Sequence, residues 1–152
     1  MASQIRVTLK KLTSALQKLG IFDRVLGVEP KSPPGNGVTA AIYLNSVGPA
    51  ASASGLDRAS SLYVFTLRLY SNMMQEPAEE IDPNMAACID GVFDALAGDI
   101  DLGGTVRNVD FFGQCGTPLS AKAGYVDVGG TMFRAIDIII PLVVNDSTEV
   151  FA

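Results

Sequence analysis

The stretch that most constrains this chain is residues 124–144, GYVDVGGTMFRAIDIIIPLVV. Gly129-Gly130 sits between two apolar runs, and a Gly-Gly pair there is a strong two-residue hairpin signal. The pattern predicts strands over 124–128 and 131–144. In the second strand Ile136, Ile138, Ile140 and Leu142 recur at every other position and fall on one face. Pro141 has no N–H to give a ladder, so this end of the strand is expected at a sheet edge or beyond the ladder. A long apolar edge invites aggregation unless something covers it, and in an assembly the cover would be a neighbouring subunit.

The rest of the chain alternates helical and extended patterns. Ile5, Leu9, Leu12, Leu16 and Leu19 make one apolar stripe, which predicts a helix over 3–19 capped by Ser3 and stopped at Gly20. Lys10, Lys11 and Lys18 fall off the stripe and are read as solvated. A second helix is expected from Asp82-Pro83 to Gly98, with Met85, Ile89, Val92 and Leu96 on its buried side and Asp90 and Asp94 in solvent. Residues 21–28, 38–47, 62–70 and 105–112 read as strands. In 62–70, Tyr63, Phe65, Leu67 and Leu69 form the core face, opposite Val64, Thr66, Arg68 and Tyr70. Proline and glycine make 29–37 a loop, 71–81 is an acidic connection, and 113–123 is a loop. The small-residue segment 48–61 reads as a long loop, either an arm that orders against a neighbour or, equally, a mobile surface loop. Asp101-Leu-Gly-Gly-Thr-Val and Asp127-Val-Gly-Gly-Thr-Met echo each other, and shared turn chemistry accounts for both.

A length of 152 residues fits a single domain, 1–152. Charged residues are only 18% of the chain, against about 25% in ordinary soluble domains. That favours a protein that hides surface in an assembly. The net charge of -5 argues against a phosphate-gripping surface and suits one that nucleic acid slides past. There is no histidine, so no Ser–His or Cys–His nucleophile can be built. Cys88 and Cys115 are far apart and read as two reduced thiols, the first on a helix and the second in a loop. Glu76, Glu79, Glu80 and Asp82 lack calcium-loop spacing and read as a solvated acidic turn. No cofactor or metal is expected. No apolar run approaches the roughly 20 residues that span a bilayer, so the expectation is a soluble protein made in a cytoplasm.

Asp137 lies inside the final strand and needs a partner if buried. Arg68, Arg107 and Arg134, all on expected strands, are the candidates, either within the sheet or across a subunit boundary. With Ile138 and Ile140 they make the candidate subunit-interface set.

Three stretches, VEPKSPPGNGVTAAIYL (28–44), SGLDRASSLYVFTLRLYSNMMQEPAEEIDP (54–83) and LGGTVRNVDFFGQCGTPLSAKAGYVDVGGTMFRAIDIIIPLVVND (102–146), carry a resemblance in their order and spacing. The chain resembles the tail terminator proteins of long, flexible-tailed bacteriophages, particularly those of actinobacterial phages. The resemblance implies an α+β fold, with two helices packed on one face of a largely antiparallel β-sheet. It implies a homo-oligomeric ring, usually a hexamer, located in the virion at the head-proximal end of the tail. Such a ring stops polymerisation of the tail tube protein and joins the head connector, while DNA passes through its channel without specific binding. It implies no catalytic residues. Two other readings fit less of the pattern. One is another neck or tail protein, such as a tube subunit or head-completion protein. The other is a small oligomeric α+β enzyme or ligand-binding domain, in which the three arginines would bind a carboxylate or phosphate.

Overall fold

The first apolar stripe does form a helix, α1 (Gln4–Gln17). Leu12 and Leu16 are fully buried, Ile5, Leu9 and Leu19 pack beside them, and the chain leaves the helix through Gly20 at φ 67°. The second helix, α2 (Ile81–Gly98), buries Ile81, Met85, Cys88, Val92 and Leu96. Asp82 lies in its first turn, where a carboxylate opposes the positive end of the helix dipole. The computed structural model describes residues 4–28, 30, 37–50, 58–73 and 81–149. Ser3, most of the 29–37 loop, the middle of the 48–61 segment and the acids Glu76, Glu79 and Glu80 lie outside them.

The strands are β1 (Arg24–Leu26), β2 (Val38–Pro49), β3 (Arg58–Asn72), β4 (Asn108–Val109), β5 (Ser120–Val128) and β6 (Thr131–Glu149). They form one sheet in the order β1-β2-β3-β6-β4, and β5 also pairs with β6. Every pairing is antiparallel except β1 with β2. Both helices lie on one face of this sheet, α1 over β1 and β2, α2 over β3 and β6. The fold is therefore α+β, with two helices on a mostly antiparallel sheet. The core between the layers is built from Ala40 and Ile42 of β2, the odd residues Tyr63 to Leu69 of β3, and the even residues Ile136 to Val144 of β6.

The Gly129-Gly130 hairpin forms as expected. Both glycines have positive φ, 57° and 87°, the geometry that matches the twist of the strands it joins. The Asp127 carboxylate accepts the Gly130 N–H at 2.9 Å. Gly103 and Gly104 repeat the positive φ values, so the sequence echo is one of turn chemistry.

Five expectations are corrected. β6 is not an edge strand: β3 pairs with one side of it, β5 and β4 with the other. Its cover is intramolecular. Pro141 stands within the ladder, opposite Val64. Its carbonyl accepts the Asp110 N–H at 2.9 Å, so its N-side faces the β4/β5 flank. There β5 begins at Ser120 opposite Ile139 and β4 has ended at Val109 opposite Leu142, so the missing N–H falls at a break between partners.

The 48–61 segment is not one long loop. β2 continues to Pro49, β3 starts at Arg58, and Pro49 stands opposite Ser61. The expected strand at 105–112 shrinks to two residues. Leu102, Gly103 and Gly104 all take positive φ, which swings Leu102 into the core, and the chain turns again at Asp110. The expected loop at 113–123 ends sooner, because β5 begins at Ser120. Residues 21–28 contribute only the three residues of β1.

The alternation in β6 yields a direct test. Ile138 is wholly buried under the helices and Ile139 only partly, on the other face. Ile138→Ala is expected to cost about 2–5 kcal/mol in urea unfolding, Ile139→Ala less than half of that. Ile138→Asp should abolish the cooperative transition. A stable, fully folded Ile138→Asp protein contradicts this placement.

Candidate assembly surface

The face of the sheet opposite the helices carries two small apolar clusters. Ala41, Tyr70, Val128 and Phe133 form one, with the Tyr70 and Phe133 rings edge to face at 6.2 Å. Ala50, Leu62, Val64 and Val143 form the other, against which Cys115 packs. Arg68 and Asp137 stand between them. The two are opposite each other in the β3–β6 register, and Arg68 donates through Nε at 2.6 Å and Nη2 at 2.9 Å to the two Asp137 oxygens. Of the three candidate arginines, Arg68 is the partner of Asp137, and the pair is intramolecular. Hydrogen bonding to Asp137 pushes the Arg68 guanidinium further up from its ordinary value, against the opposing effect of partial burial. On the other side of Asp137 the register places Lys122 of β5. Arg68, Lys122 and Asp137 line an open cavity of about 250 Å³ floored by Gly124, Val126 and Ala135.

Arg134 is on the helix side. Its Nε donates to Asp82 Oδ1 at 2.9 Å, and its guanidinium carbon lies 4.7 Å from the Tyr125 ring centroid. A further bond from Nη1 reaches the Gly124 carbonyl at 3.1 Å. Arg134 thus ties the β5–β6 hairpin to the start of α2. Arg107 is exposed beside β4, and its N–H donates to the Val143 carbonyl at 2.8 Å. Ile138 and Ile140 are at 0% exposure and have no surface to offer a neighbour, which corrects their place in the interface set. The remaining candidates do not converge on one site. Arg68 and Asp137 share the open face, while Arg134 and Arg107 lie elsewhere.

Among the described residues, no group of three or more His, Cys, Asp or Glu is placed to hold a metal. No helix of the described residues is long and apolar enough to cross a membrane.

The features that stand out as surface for a partner are the two outer strands. No described residue pairs with the outer side of β1 or of β5. β5 is nine residues long and largely exposed. Tyr125, Met132 and Phe112 are large apolar side chains 62%, 50% and 89% exposed on or near this flank. The sequence signal for β5 was its alternating Gly-Tyr-Val-Asp-Val; its four preceding residues, small and polar, hid its length. Asp110 was missed as well. It is buried, and its carboxylate accepts the N–H groups of Gln114 and Cys115 at 3.0 and 2.8 Å, fixing the turn that leads to β5. The readable signal was Asp at the first and Gly at the fourth position of a turn, Asp110-Phe-Phe-Gly113.

Two outcomes follow for this surface. Removing the Asp137 carboxylate leaves a half-buried guanidinium without its counter-charge, so Asp137→Ala should lower unfolding stability by about 1–2 kcal/mol. Asp137→Asn, which keeps the shape, should be at least as harmful as a typical surface substitution and no worse than the alanine. Burial pushes the Cys88 thiol up, with Asp23 adding to the effect. A folded-state pKa above the unfolded one stabilises fully below about pH 8.5 and is lost as pH rises beyond it. Cys115 should therefore react first with a thiol reagent at pH 8, and Cys88 only on unfolding. Set against known proteins, the chain matches no family model and no curated sequence.

Proposed function

We propose that this chain is a structural virion protein, the subunit of a ring that caps the head-proximal end of a phage tail tube. In this role it stops tube polymerisation at its proper length and joins the tail to the head connector, and DNA passes through the central channel. It carries out no catalysis. The ring is homo-oligomeric, and six subunits is the number the family resemblance implies.

The observation that carries this reading is one sheet that, among the described residues, ends in β1 on one side and in the nine-residue β5 and the two-residue β4 on the other, with no strand paired to the outer side of β1 or β5. An unpaired strand is a template for strand addition. Two different edges on one molecule suit a head-to-tail contact, and such contacts close into rings when the rotation per subunit allows it. The α+β architecture agrees with the one implied by the sequence resemblance. The net charge of -5 suits a channel that DNA crosses without sticking.

Negative-stain microscopy of the purified protein should show rings with a central hole. Added to polymerising tail tube protein, the chain should shorten the tubes and sit at one end only. A protein that remains monomeric and leaves tube length unchanged refutes the reading. Incorporation along the whole tube would instead favour a tube subunit.

A further inference from the structure

The helix layer does not cover the whole sheet. α1 packs over β1 and β2 and α2 over β3 and β6, which leaves the helix side of β5 bare. Ala121, Ala123, Tyr125 and Asp127 make up that side of β5, alternating with residues such as Val126 and Val128, which join the cluster on the opposite face. All four are exposed. Tyr125 is the largest of them, an aromatic ring in solvent with the Arg134 guanidinium against it. Asp127 follows on the same side, at the hairpin turn, where its carboxylate accepts the Gly130 N–H.

At the opposite edge of the sheet the helix overhangs. α1 borders an open cleft of about 620 Å³, lined by Arg6, Leu9, Lys10, Ser14, Gln17 and, just past the end of β1, Gly27. None of the described residues of β2 lines it, so the cleft lies on the β1 side of α1, beside the unpaired edge. Half-buried Leu9 gives it an apolar wall, and Arg6 and Lys10 bring positive charge to its rim. Every charged side chain between residues 4 and 19 is a cation, namely Arg6, Lys10, Lys11 and Lys18. The charges of α2, Asp82, Asp90 and Asp94, are all anions.

We propose that the α1 cleft receives the helix side of β5 from a second copy of this chain, with the Tyr125 ring in the cleft and Asp127 among the cations of α1. This rests on the ring reading above and specifies its contact. Strand direction is consistent with it. β1 is parallel to β2, β2 antiparallel to β3, β3 to β6 and β6 to β5, so β5 runs opposite to β1. Copies in the same orientation therefore bring the two edges together antiparallel, helix side beside helix side. The bare strip of one copy lies beneath the overhanging helix of the next, and the helix layer continues across the joint. β1 is only three residues long, so its ladder offers few hydrogen bonds, and the Tyr125 ring supplies the buried apolar surface. An exposed charge pair adds little affinity, so Asp127 and Lys10 act chiefly by selecting this pairing and speeding encounter.

The chain has no tryptophan, so Tyr125→Trp puts a single reporter at the joint without emptying it. Lys10, Tyr125 and Asp127 are all exposed, so the variants should fold, as checked by circular dichroism and thermal melts. Sedimentation velocity at low salt reads assembly. As Tyr125→Trp protein assembles, its emission should move to shorter wavelength and its quenching by acrylamide should fall. Lys10→Glu should need at least about tenfold more protein to assemble than the wild type, because like charges meet at every contact. Asp127→Asn keeps an acceptor for the Gly130 N–H, and Lys10→Glu/Asp127→Asn should recover part of the loss, because the repulsion is gone. If the protein assembles with the tryptophan emission unchanged, or Lys10→Glu assembles as well as the wild type, or the double variant recovers nothing, this pairing is overturned while the ring reading stands. If the wild type never leaves the monomer, with or without tail tube protein, both fall.

Discussion

The central position of β6 is the constraint on which the rest of the molecule depends. One strand serves β3 along one side and β5 and β4 along the other. Its even residues meet the helices, and its odd residues fill the opposite face. A one-residue slip would exchange those faces and put Asp137 under α2. The register is pinned against that slip at several points. The Gly129-Gly130 turn fixes it from one end, the Arg68–Asp137 pair locks it in the middle, and Pro141 fits only where the β5 pairing has stopped. A bidentate, partly buried pair of this kind contributes modest stability, but it discriminates strongly between registers, because any other would leave one charge half-buried and alone.

The elements that were legible in the sequence are those whose period is strong and whose ends are marked. Both helices showed 4, 3, 4 spacing and a terminal glycine, and both bury the residues that spacing selects. The hairpin and the core face of β3 were equally plain. The neighbours of β6 were not. Alternating isoleucine says that one face is buried, and a helix layer or a second subunit buries it equally well. Ile138 and Ile140 were therefore ambiguous between core and interface until the topology placed α2 over them. Pro141 misled because its lost hydrogen bond was assigned to the end of a strand, when a gap between two partners on one flank accommodates it as well.

The boundaries that failed did so for lack of side-chain signal. Residues 58–61, Arg-Ala-Ser-Ser, have little intrinsic strand preference, and backbone pairing with β2 and β6 extends β3 through them. In 105–112 the valines and phenylalanines suggested a strand, but the three consecutive positive φ values at 102–104 and the turn at Asp110 set the path instead. At the candidate surface the sequence narrowed the partner of Asp137 to three arginines, and only the cross-strand register chose among them. The charge segregation of the helices was visible in the letters. The fold sets the two helices over different strands of one sheet face.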